Sequence, residues 1–142
     1  MVVTAGGTFE VLPLLQPSDR PIEARTHLTL SPAAPAEARR FIRDALRRTH
    51  FEPVTDIVTL LASELVTNAV LHAASHVDLA VCADGDVVRV EVADTSSRMP
   101  EPARYEPDAQ TGRGLGVVAA EAHDWGTRVT AGGKIVWFEV SR

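Results

Sequence analysis

The stretch at residues 60–73, LLASELVTNAVLHA, limits what this chain can fold into more than any other. Read as a helix, it is apolar around most of its circumference, through Leu60, Leu61, Leu65, Val66, Ala69, Val70 and Leu71. Such a helix has to be covered on more than one side, so it belongs inside a domain. Within it, Glu64, Asn68 and His72 recur every four residues, which lines them up on one face. A carboxylate on an otherwise apolar helix is costly unless it is paired or has chemistry to perform. Two readings fit these residues: one wall of a site, or a polar stripe turned to solvent.

The other elements follow from periodicity. Residues 1–24 mix Gly, Pro and small residues and read as a weakly structured arm, either with an edge strand at about 9–14 or as a plain tail. Residues 25–142 have the length of one domain with a single core. RTHLTL, 25–30, alternates as a strand does. PAEARRFIRDALRRTH, 35–50, is an amphipathic helix, with Ala38, Phe41, Ile42, Ala45 and Leu46 on one face. Pro35 suits its first turn, and the arginines at its end suit the negative pole of the helix dipole. Arg39, Arg40, Arg43, Arg47 and Arg48 form a solvated face, or else a surface for a partner.

Thr55 or Asp56 can cap the second helix, which runs to about residue 74. Residues 77–94 read as two strands joined at Asp84-Gly85-Asp86. Residues 95–114 have no periodicity, and a loop of that length in a small domain is usually functional. A helix over 115–126 and two strands over 127–140, turning at Gly132-Gly133, close the chain. Strands joined by tight turns make a mainly antiparallel sheet. With the helices gathered on one face, the expected fold is a two-layer α/β sandwich.

Charge and composition exclude several functions. The formal net charge is -5 with no Lys/Arg block, which argues against a nucleic-acid surface. No apolar run approaches the ~20 residues of a membrane helix, and the start lacks the basic and apolar regions of a signal peptide. The expected location is the cytoplasm. The lone cysteine, Cys82, allows no internal disulfide and reads as a small core residue in LAVCA.

Three groups of residues have chemistry suited to a nucleotide. Asp94 ends a hydrophobic strand, where a carboxylate either accepts a hydrogen bond from the exocyclic amine of a base or simply starts a turn. Gly112-Arg113-Gly114-Leu115-Gly116 leads into a helix; glycines let backbone approach phosphates, and Arg113 can add charge-assisted contacts. It is neither a Walker A loop nor a Rossmann fingerprint. Asn68 offers an oxygen to a hard cation such as magnesium, and Glu64 can take a proton from an attacking hydroxyl or water. His72 and His76 are spaced as helical metal ligands, but the helix is expected to end between them with no third ligand, so they read as a site-edge and a turn residue.

In order along the chain, these features resemble the GHKL ATPase superfamily, which has the Bergerat fold. SELVTNAVLHA is similar to the N box, VEVADTSSRMP to the G1 box and TGRGLGVV to the G2 box. With ARRFIRDAL before the N box, and HDWG and GKIVWFEV after the G2 box, the chain most resembles single-domain anti-sigma-factor serine/threonine kinases. That resemblance implies ATP and magnesium as cofactors. It casts Glu64 as general base, Asn68 as the magnesium ligand and Asp94 as the reader of the adenine amine. Met99, Gly112, Arg113, Gly114, Leu115 and Gly116 would complete the nucleotide contacts. The partners it implies are an anti-anti-sigma protein as substrate, a sigma factor and a second copy in a dimer. The chain departs from the family twice. Asp94-Thr95-Ser96-Ser97-Arg98 lacks both glycines of the usual G1 box, and Lys134-Ile135-Val136 follows Gly133 where a threonine often supports adenine recognition. These departures keep open a nucleotide-controlled binding module without turnover, or an interaction domain that has kept only the fold.

Overall fold

Alternation of apolar and polar residues builds one five-stranded sheet. The computed structural model describes residues 3–4, 7–8, 21–72, 76–95 and 110–142, with backbone alone at 3–4, 7–8 and 110–115. Two short strands, β1 (Val3–Thr4) and β2 (Gly7–Thr8), pair with each other. The main sheet holds β3 (Ile22–Leu28), β4 (Val77–Asp84), β5 (Val87–Asp94), β6 (Asp124–Thr130) and β7 (Gly133–Ser141). Their order is β3-β4-β5-β7-β6, and every neighbouring pair is antiparallel. The helices are α1 (Ala34–Leu46), α2 (Thr55–His72) and α3 (Gln110–Glu121).

One row of each central strand faces the helices. Val88, Val90 and Val92 of β5 and Val136, Phe138 and Val140 of β7 share a core with Ala38, Ile42 and Leu46 of α1 and Val58, Leu61, Leu65 and Val66 of α2. Each fully buried Leu, Ile or Phe contributes roughly 1.5–3 kcal/mol relative to exposure. The opposite row is polar and ion-paired: Arg89 lies 4.0 Å over the Trp137 ring and donates to Glu91 and Glu139, both at 3.0 Å. The expected α/β sandwich, with its helices on one face, is the architecture observed.

Helix α2 is the middle of the helical layer. Contrary to the sequence expectation, the stretch Glu52–His72 is long and apolar enough to cross a membrane by length and composition, with a mean hydropathy of 1.5 over its most apolar window. Here it is a core helix, and burial against α1, α3 and the sheet accounts for its hydropathy.

Several boundaries differ from those expected. The first strand reaches back to Ile22 because it pairs with β4 from Leu28↔Val77 to Ile22↔Ala83. Helix α1 stops at Leu46, so Arg47 and Arg48 lie beyond it; Arg48 has φ 59, and its N–H donates to Glu52 Oε1 at 2.8 Å. Thr55 does not cap α2: a 3-10 turn, Glu52–Val54, precedes it, and the Thr55 hydroxyl donates back to the Phe51 carbonyl at 3.2 Å. Helix α3 begins at Gln110, so 110–114 is helix and not loop. It also ends earlier than expected, because 124–126 joins β6 opposite β7. Cys82 is half-buried on the polar face and not in the core. Burial, then the Glu23 and Glu91 carboxylates, push its thiol up, against the pull of Arg25 and Arg89. The expected edge strand at 9–14 lies outside the described residues.

Two glycines are demanded by geometry. Gly85 opens the β4–β5 turn with φ +61, the conformation that glycine supplies at the first central position of a type II′ turn. Gly133 lies so close to β5 that a Cβ built on it would stand 1.9 Å from the Asp94 carbonyl oxygen and 2.8 Å from Thr95 Cα. Both neighbours are backbone, so the strands themselves would have to part. Gly133→Ala is therefore expected to lower the unfolding free energy by about 3 kcal/mol, the upper range for overpacking. Gly132→Ala, with nothing within 4 Å, is expected to cost far less. Urea unfolding of the two variants checks this contrast.

Candidate functional site

The sheet and α2 bring their polar groups to one end of the domain. Helix α2 ends at His72, and β4 begins at Val77, which is the register partner of Asp94. That short connection carries the C-terminal end of α2, with Asn68, to the end of the sheet where β5 finishes and β7 starts. Glu64 stands one turn before Asn68 and is half-buried. The Asn68 Oδ1 atom is buried and makes no hydrogen bond among the described residues. A buried carbonyl oxygen without a donor carries a desolvation penalty of about 1–3 kcal/mol. It is also the kind of oxygen that a hard cation takes as a ligand. On that observation Asn68 has the chemistry of a magnesium ligand.

Asp94 is the last residue of the inward row of β5, after Val88, Val90 and Val92. Strand alternation therefore turns its carboxylate toward the helices. Its cross-strand partner is Lys134, the first buried residue of β7. Lys134 Nζ donates to Asp94 Oδ1 at 3.1 Å, with 6% of the lysine side chain exposed and 1% of the aspartate's. Two charges are thus taken out of water together. Such a pair has little net effect on stability, because desolvation offsets attraction, but either partner left alone is very costly. The close approach of Gly133 to the Asp94 backbone sets the spacing of the two strands here.

The other expected site residues divide in two. Gly112, Arg113, Gly114, Leu115 and Gly116 lie in the first half of α3, not in a loop ahead of it, so this helix begins before the glycines. Met99 lies outside the described residues, as does most of the expected loop at 95–114. Helix α3 packs on α2 and then leads to β6, which starts beside Glu139 at the far end of the sheet. His72 ends α2, and His76 lies beyond it, 3.7 Å from Asp78.

Comparison with known families decides the class. A family profile described as a histidine kinase-like ATPase domain matches residues 28–140, most of the chain. The chain belongs to this family. Domains of the family bind ATP, usually with magnesium, and the match supports an ATP-binding regulatory function for this ATPase domain. No curated protein matches it.

Sequence reasoning missed Lys134 as a functional residue and recorded only the lack of a hydroxyl. A signal was present. Lys134 is the chain's single lysine, and in KIVWFEV it falls in the same row as Val136, Phe138 and Val140. A lysine in an inward row needs a buried partner. In this ATPase domain, Asp94→Ala and Lys134→Ala are each expected to cost about 3–5 kcal/mol, since each strands a buried charge. Removing both together, as Asp94→Leu with Lys134→Met, is expected to cost much less than the sum. Urea unfolding of the three variants measures that non-additivity.

Proposed function

We propose that this ATPase domain is an ATP- and magnesium-dependent serine/threonine kinase of the anti-sigma type. It acts on a small anti-anti-sigma partner in the cytoplasm, and it also holds a sigma factor as a dimer. The observation that carries the reading is the buried Asn68 Oδ1, without a hydrogen-bond partner among the described residues, one turn from Glu64 at the Asp94 end of the sheet. When bound, magnesium and its nucleotide supply the reactive phosphoryl group and the neutralisation of its charge. Glu64 takes the proton from the attacking serine or threonine hydroxyl, a role suited to a half-buried carboxylate on a rigid helix. Asn68 orients the cation through its amide oxygen, and the N-terminal half of α3 lends backbone and Arg113 to the phosphates.

A second reading is favoured by one observation. The ion pair between Lys134 and Asp94 occupies the carboxylate that the kinase reading assigns to the adenine amine. A domain so altered suits a nucleotide-controlled binding module that sequesters its partner without turnover.

Calorimetric titration with ATP and magnesium, followed by phosphate transfer to the partner protein, tests both. Asn68→Ala is expected to weaken magnesium-dependent ATP binding by about 10–100-fold. Glu64→Ala is expected to keep binding and lose transfer by about 10²–10⁴-fold. ATP binding with no transfer from the unaltered protein selects the binding module. Unchanged ATP affinity in Asn68→Ala contradicts the site itself.

A further inference from the structure

Lys134 does more to the candidate site than replace a hydroxyl. A base presents the amine at its position 6 as an N–H donor, and a carboxylate reads it by accepting that hydrogen bond. Here the Asp94 carboxylate already accepts from an N–H donor of the chain itself, at 3.1 Å. The bond is charge-assisted, roughly twice as strong as one to a neutral amine. With 1% of the aspartate side chain and 6% of the lysine side chain exposed, the pair presents almost no edge to an incoming base. A base amine aimed at this carboxylate meets an ammonium, donor against donor. Pushing the ammonium aside strands a buried charge, which costs more than the neutral hydrogen bond returns. Lysine suits this place better than arginine, because its compact ammonium fits beside a single carboxylate oxygen where a planar fork does not.

We propose that Lys134 acts as a built-in substitute for the base amine, so that the domain holds a nucleoside triphosphate by its phosphates and does not read its base. The inference rests on the nucleotide reading above and adds selectivity to it. Lys134 is then the specificity-determining residue: it abolishes the preference for a 6-aminopurine that Asp94 would otherwise confer. The phosphate end, with Asn68 as cation ligand, retains its role.

The test compares ATP with inosine triphosphate, which differ in the group at position 6 of the base, by calorimetric titration with magnesium. The unaltered protein is expected to bind the two within about threefold of each other, less than the tenfold that one good hydrogen bond confers. Lys134→Thr removes the ammonium from Asp94 Oδ1 and is expected to favour ATP over inosine triphosphate by about tenfold or more. Lys134→Met serves if threonine lets the strand ends collapse, since it keeps the stem volume and removes the donors. The comparison on the unaltered protein needs no variant. A tenfold preference for ATP in the unaltered protein overturns the inference and leaves the nucleotide site standing. So does a folded Lys134 variant that still treats the two triphosphates alike. Absence of binding by either triphosphate, to the unaltered protein and the variants, overturns the nucleotide reading itself.

Discussion

Enclosure of α2 between α1, α3 and the sheet determines where polar groups can lie in this domain. Val58, Leu61, Ala62 and Val66 are fully buried, so the helix has almost no freedom to rotate or slide without opening cavities. Its polar residues are held in register by that packing. Asn68 ends with a buried oxygen that has no donor among the described residues, and Glu64 sits half-covered one turn away. A core helix that carries an unsatisfied acceptor keeps a local cost of folding at a fixed place. A cation or a donor bound there would recover that cost and so would tie the stability of the domain to occupancy of the proposed site.

The sheet obeys the same logic with the opposite outcome. Asp94 and Lys134 are placed inside by strand alternation, yet they pair with each other. One end of the domain therefore has two kinds of polar group. Asn68 Oδ1 of α2 has no hydrogen-bond partner among the described residues, and the carboxylate of β5 has found one in β7. In the reading proposed above, this separates recognition of phosphate and cation from recognition of the base. Triphosphate and metal contacts involve full charges while base reading involves neutral hydrogen bonds, so the first does not require the second.

Local pattern made much of this legible. The apolar circumference of α2, the amphipathic face of α1 and the alternation of β4 and β5 located those elements within a few residues. The Asp-Gly pair located the turn where Gly85 adopts φ +61. What local pattern could not show were effects of pairing between distant segments. Gly126 looked like a helix stop, but α3 ends at Glu121 because the next residues are drawn into β6: the His123 N–H donates to the Glu139 carbonyl at 2.8 Å. Gly112 and Gly114 looked like loop residues, since glycine is a poor helix former, but α3 includes both. Glu64, Asn68 and Asp94 were visible as a set because their spacing and chain order carry the signal. Lys134 was visible as an inward lysine, but its partner lies forty residues earlier and is fixed only by the β5–β7 register.

The most direct measurement uses the fact that Lys134 is the chain's single lysine. Protein labelled with carbon-13 lysine gives one Cε–Hε correlation in its NMR spectrum, reporting from the Asp94 end of the sheet. If ATP and magnesium bind between α2 and the ends of β5 and β7, that signal shifts on titration and saturates together with the calorimetric binding curve. If the nucleotide binds while the Lys134 signal stays where it was, the site lies elsewhere on the domain, and the assignment of Asn68 and Asp94 to it is wrong.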